Sequence, residues 1–296
     1  MLVARHAAGH KRDMPEQSDL FDRVVRRGRR DRAAATYAAH DFLRAAMLEG
    51  IYERLASVKR TFTEVLDLGC FDAAFTLPAV RIARLDAGFA FARAAGGVQA
   101  DEDRLPFADG SFDLVVSAGV LDQVNDLPGA LTLARRALRP DGLFLGAFVG
   151  AGSLPALRHA LRVAEGDRPA ARLHPQIDVR SAGDLLVRAG FALPVADVES
   201  LGVSYRSLGG LLDDLRGAAA TNLLVSRVPL PRQTLSATAT AFAARADDEG
   251  RTHERLELVF LTGWAPDDSQ PQPARRGSAT SSLAAALALP REPDDA

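Results

Sequence analysis

Between Glu64 and Gly150 the sequence passes through five short apolar runs, EVLDLG, VRIARLDA, GVQAD, FDLVVSA and GLFLGAFVG, separated by stretches with helical spacing. Runs that are apolar almost throughout suit strands covered on both faces by helices, and so a mostly parallel α/β sheet. The spacing predicts helices over 74–80, 88–95 and 127–138. The last opens at NDLPGALTLARRAL, where Asn125 or Asp126 can cap and Pro128 sits in the first turn. It closes at RPDG, residues 139–142, where Pro140 and Gly142 are expected to turn the chain into the next strand.

The flanks read differently. Residues 17–48 carry apolar positions at helical spacing, interrupted by the basic run RRGRRDR at 26–32. That run reads as a solvated helix face in preference to a phosphate or acidic-partner contact, because no aromatic platform or second basic cluster accompanies it. Beyond Gly150 the pattern gives helices at about 153–165 and 178–190, then a strand-like segment, LPVADVESLGVSY, at 193–205. Helical stretches at 207–219 and 231–245 precede the apolar run RLELVFLTGWA at 255–265, and are read as an insertion, about 207–250, before the last strand. The expected organisation is a leader and helices over 1–49, a Rossmann-like domain over 50–265 and a flexible tail over 266–296. The first 13 residues lack the apolar stretch of a secretory signal and read as an unstructured leader.

Composition removes several classes of function. A net charge of -2 offers no general attraction to nucleic acid or anionic membrane. No apolar stretch reaches the ~18–20 residues of a transmembrane helix. Cys70 is the only cysteine, so an intrachain disulfide and a cysteine-built metal site are excluded, and a reducing, cytoplasmic setting is expected. The six histidines include no His-x-Asp/Glu pair of the kind that builds an iron facial triad, and His174, in LHPQID, reads as a loop or surface residue.

Chemistry concentrates at the strand ends. Val65-Leu66 leads into Asp67 and Gly69, as a buried strand delivers a tight turn to a ligand crevice. Phe71 and Ala73 stand where further glycines would let the backbone approach a ligand. Asp86 follows Asp67 by 19 positions, close to the spacing of a ribose-binding acid, and Asp101 or Glu102 can accept from an adenine amino group. Three strands each ending in an acid suit S-adenosylmethionine, which has ribose and adenine but no phosphate for those acids to repel. The same aspartates can also be ordinary turn residues.

The segments LDLGC and LPFADGSFDLVVSAGVLDQVNDLPGALTLARRALRPDGLFLGAFVG resemble class I methyltransferases that bind S-adenosylmethionine. DLLVRAGFALPVADVESLGVSY, LLDDLRGAAATN, FLTGWAPDDSQPQP and RGSAT resemble one branch, the mitochondrial complex I assembly factor and its proteobacterial relatives. The resemblance implies a Rossmann-like class I methyltransferase sheet. It also implies cofactor contacts from Asp67, Gly69, Cys70, Phe71, Asp86, Asp101, Glu102 and Ser117, and a protein substrate such as a respiratory complex I subunit. It names no catalytic residue and no metal. Asp122-Gln123 departs from the His-Trp typical of relatives, and Phe71 adds bulk where the methionine portion would lie. Methyl transfer is the leading expectation, with arginine hydroxylation or non-catalytic assembly on a degenerate cofactor site as alternatives. Phe71 is expected to point into the crevice in preference to folding back on a helix near Ala74.

Overall fold

The computed structural model describes residues 19–271; the expected leader at 1–13 and all but the first residues of the expected tail at 266–296 lie outside them. Chain contacts divide at Pro266. In the second unit the described residues, 267–271, form a turn in which the Gln270 N–H donates to the Asp267 carbonyl at 3.2 Å.

One seven-stranded sheet organises the first unit: β1 (Glu64–Leu68), β2 (Arg81–Asp86), β3 (Val98–Gln99), β4 (Phe112–Ala118), β5 (Leu138–Val149), β6 (Ala192–Tyr205) and β7 (Thr252–Trp264). Their spatial order is β3-β2-β1-β4-β5-β7-β6. The first five strands pair in parallel, and β7 runs antiparallel between β5 and β6. The strand order reverses between β1 and β4, so the crevice beyond their carboxyl ends lies at a switch point of the topology, where open α/β sheets bind ligands.

Both faces of the sheet are covered, which explains the unbroken apolar runs. Val65, Leu143, Leu145 and Ala147 face a core built with α2 (Phe42–Ala56) and α5 (Pro155–Glu165). Their neighbours Leu66, Leu68, Phe144 and Phe148 face the other core, with α4 (Leu127–Ala137) and α6 (Val179–Arg188). The pleat sends alternate side chains to opposite layers, and here each layer is dry. The Asp126 side chain accepts from the Gly129 N–H to cap α4, with Pro128 in its first turn. Two helices, α7 (Leu208–Gly217) and α8 (Arg232–Ala243), lie between β6 and β7, and α8 packs against α5.

Two local expectations fail. Residues 74–80 form no helix: Ala73 and Ala79 adopt left-handed φ of 61° and 57°, and Pro78 lies between them, so too few residues remain for a helical turn. Residues 139–142 are not a separate turn, because β5 begins at Leu138 directly after α4 and absorbs the change of direction at Asp141, φ 60°, opposite a register shift between Phe112 and Leu114. No described helix is long and apolar enough to cross a membrane, and no cluster of three or more His, Cys, Asp or Glu among the described residues could hold a metal ion.

Candidate functional site

The turn after β1 keeps the backbone of a glycine-rich loop without its glycines. Gly69 has φ 83°, and a Cβ there would lie 2.5 Å from Val120. Phe71 and Ala73 also adopt left-handed φ, 45° and 61°, conformations that cost a side-chain-bearing residue about 1–2 kcal/mol each. The N–H groups of Gly69 and Cys70 both donate to the Leu85 carbonyl, tying the turn to β2. Cys70 is buried, and burial pushes its thiol up to about 12.

The Phe71 ring is 3% exposed, but not by folding back toward Ala74. It stacks on Tyr37 at 4.9 Å between centroids and meets Phe91 edge-on at 5.3 Å. Ala33, Val120 and Ala219 complete this cluster. The ring neither folds back toward Ala74 nor stands free: it is part of a buried aromatic cluster beside the turn. Tyr37 and Ala33 belong to the N-terminal segment, whose position the local sequence around Phe71 does not disclose.

Helix α1 (Arg23–Ala33) overturns the reading of the basic run as a solvated face. Arg23, Arg26, Arg27 and Arg30, at i, i+3, i+4 and i+7, share one side of the helix and meet the acids at the ends of β2 and β3. Arg30 forks onto Asp86, Nε to Oδ1 at 2.7 Å and an Nη to Oδ2 at 2.5 Å. Arg26 forks onto Glu102 at 2.6 and 2.7 Å, and Arg27 donates to Asp101 at 2.6 Å. Arg23 forks onto Asp103 at 2.7 and 2.6 Å and lies 3.2 Å from Asp101. The Arg30 guanidinium also sits 3.9 Å above the Phe71 ring centre. The sequence shows the two sets separately, four arginines on one helical face and four acids at 86, 101, 102 and 103, but not that they meet.

These contacts decide whether a nucleoside fits. Asp86 Oδ1 accepts from Arg30 and the Gly88 N–H, and Oδ2 from Arg30 and the Phe71 N–H, so neither oxygen has capacity left for ribose hydroxyls. Burial opposes its charge, but Arg30 and the two N–H donors outweigh burial and hold the carboxyl below its usual range. Each Glu102 oxygen accepts one bond from Arg26. In this arrangement Asp86, the residue expected to hold ribose, has no acceptor left for it, whereas at the expected adenine end the buried Asp101 Oδ1 has no hydrogen-bond partner.

Other expected site residues lie deeper along the crevice. Asp67 is fully buried beside Arg44 at 3.3 Å, and burial pushes its carboxyl up to about 6 against the pull of Arg44 and Arg84. Its Oδ2 has no hydrogen-bond partner, and neither does the Ser117 hydroxyl. Asp122 follows β4 in a short 3₁₀ turn, Leu121–Gln123, and burial pushes its carboxyl up to about 7. His174 lies in a loop, as expected, and is partly buried there: it packs against Phe21 at 4.9 Å, accepts from the Leu223 N–H at 2.9 Å and is pushed down to about 4 by burial.

Residues 66–146 match the family model of a methyltransferase domain. The chain is 34% identical to the arginine-hydroxylase NDUFAF5, mitochondrial, of Danio rerio over 90% of its own length and 89% of that protein. It belongs to that family of methyltransferase-fold proteins. It is also 32% identical to the malonyl-[acyl-carrier protein] O-methyltransferase of Laribacter hongkongensis, over 80% of this chain and 87% of the relative. Among solved structures, YcgJ of Bacillus subtilis superposes with a TM-score of 0.52 at 18% identity, covering 74% of this chain and 97% of YcgJ, a likeness that concerns the fold alone. The Rossmann-like class I sheet expected from the sequence is thus the observed one.

Proposed function

We propose that this protein is a modification or assembly factor for a protein substrate related to respiratory complex I, and that helix α1 keeps its S-adenosylmethionine site closed. The observation that carries the reading is that Arg30, with the Phe71 and Gly88 N–H groups, fills both Asp86 oxygens while Arg26 forks onto Glu102. NDUFAF5 names an arginine hydroxylase and the bacterial relatives name methyl transfer, so the family spans more than one reaction, and the family fold does not choose between them. A cytoplasmic setting belongs to this proposal and rests on the lone buried Cys70.

A second reading, an enzyme opened by its partner, is favoured by one observation. Gly69 and the left-handed turn persist, and Asp67, Asp86, Asp101 and Glu102 are all buried near the carboxyl ends of β1, β2 and β3. An anionic partner surface that drew α1 away would free Asp86, Asp101 and Glu102, while Asp67 stays beside Arg44 of α2. Calorimetric titration with S-adenosylmethionine and S-adenosylhomocysteine separates the outcomes. The wild-type chain is expected to bind neither below millimolar concentration, whereas Arg30→Gln combined with Arg26→Gln gains measurable affinity if the site is merely closed. Micromolar binding by the wild type overturns the closed-site proposal. A variant that stays folded and still binds nothing supports the non-catalytic assembly role.

A further inference from the structure

A second cavity of about 530 Å³ lies beside the insertion helices, within the size range of small-molecule sites. Its inner wall is aliphatic and buried, with Leu154, Leu157, Leu161, Leu208 and Leu256. Its outer rim, at Val228, Leu230 and Leu235, leaves apolar side chains exposed to solvent.

Charge on the lining is uneven. Arg172 pairs with Glu165 at 2.6 Å, and Arg227 pairs with Asp22 at 3.0 Å. Arg29 pairs with no carboxylate among the described residues: its guanidinium donates to the Thr221 hydroxyl at 2.8 Å and to the Asn222 carbonyl. Burial, with the like charges of Arg227 and Arg32, disfavours its charge and holds its pKa below the ordinary value. Asp22 acts against these effects and Asp122 also lines the cavity, but neither forms an ion pair with Arg29, and a half-buried guanidinium beside two like charges favours an anion over a cation. Arg29 also lies off the face that carries Arg26 and Arg30, so this cavity and the nucleoside crevice are served by different sides of α1. Buried leucines need an aliphatic occupant, and the unpaired cation needs an anionic group joined to it.

From this combination we infer that the cavity binds a straight-chain amphiphile, with its aliphatic tail among the leucines and its anionic head on Arg29. A hydrated small anion would leave the leucine wall uncovered, and a neutral hydrocarbon would leave Arg29 without a counter-ion.

The test is calorimetry on the full chain with dodecanoate, dodecyl phosphate, dodecanol and dodecyltrimethylammonium, each below its micelle concentration. Both anions are expected to bind one per chain, more tightly than dodecanol and at least about tenfold more tightly than the cation, with about a fourfold loss for each methylene removed from the tail. A preference for the phosphate head assigns the site to phospholipid, and a preference for carboxylate assigns it to free fatty acid. Arg29→Gln should weaken the anions about tenfold and leave dodecanol unchanged. Leu212→Trp, which fills the cavity, should weaken all of them. Equal affinity for anion and cation, indifference to Leu212→Trp, or no binding by any of the four overturns the inference; the last result favours an apolar peptide segment as occupant.

Discussion

Arg30 and Asp86 meet as a two-point fork, at 2.7 and 2.5 Å, with neither side chain more than 1% exposed. A pair this deep is held more by geometry than by net energy, since desolvating both charges offsets much of their attraction. Its effect is positional. It fixes α1 over the ends of β2 and β3, and it occupies both oxygens of the carboxylate that the sequence offered for ribose.

Removing one partner of this pair is therefore costly. Arg30→Met should destabilise the fold by about 3–5 kcal/mol, because Asp86 stays buried without its counter-charge. Adding Asp86→Asn should recover part of that loss, and a double-mutant cycle by chemical denaturation measures the coupling. Additive single effects would show that the fork contributes nothing beyond the two side chains separately.

Asp67 and Asp86 should give pH dependences of opposite sign. The folded-state pKa of Asp86 is depressed, so its contribution is present above the unfolded value of about 3.9 and is lost as pH falls through the folded value. The Asp67 pKa is raised to about 6, so the folded state binds the extra proton between the two values and stability falls as pH rises through that window. At about 1.4 kcal/mol per pKa unit the loss from Asp67 approaches 2–3 kcal/mol. Asp67→Asn, compared with wild type by denaturation at about pH 4 and about pH 7.5, should therefore gain stability relative to wild type at the higher pH. An unchanged difference would place Asp67 outside this linkage.

Phe71→Gly sets two effects against each other. Losing a packed aromatic costs about 3–5 kcal/mol, while a glycine at φ 45° relieves about 1–2 kcal/mol of backbone strain, for a net loss of about 1–4 kcal/mol. Phe71→Ala keeps the strain and loses the ring, so it should melt below Phe71→Gly. The reverse order in calorimetric scans would show that the left-handed turn relaxes when the ring is removed.

Gly69→Ala should be more damaging than its size suggests. The new methyl would stand 2.5 Å from Val120, on a backbone at φ 83°. The expected loss exceeds the ~1–2 kcal/mol of a simple left-handed penalty. Combining it with Val120→Ala should restore part of the stability in the same denaturation assay, since the overlap is with a side chain and not with backbone.

By itself, the sequence determined the features that repeat or follow from local geometry. The apolar runs identified the strands, and Asp126 with Pro128 marked the start of α4, because strand burial and helix capping depend on neighbours a few residues away. Asp67, Gly69, Asp86 and the pair Asp101-Glu102 were also legible, since parallel strands carry their carboxyl ends to one edge. Tertiary structure alone decided what those acids do. The ion pairs that engage them span 56 residues from Arg30 to Asp86 and 76 from Arg26 to Glu102, beyond the reach of any local pattern. A basic helix face has the same spacing whether it meets water or carboxylates, and only the packing of α1 against the sheet edge places the arginines within hydrogen-bonding distance. Phe71 obeys the same limit: its left-handed turn is local, but Tyr37, Phe91 and Arg30, which cover its ring, arrive from elsewhere in the chain.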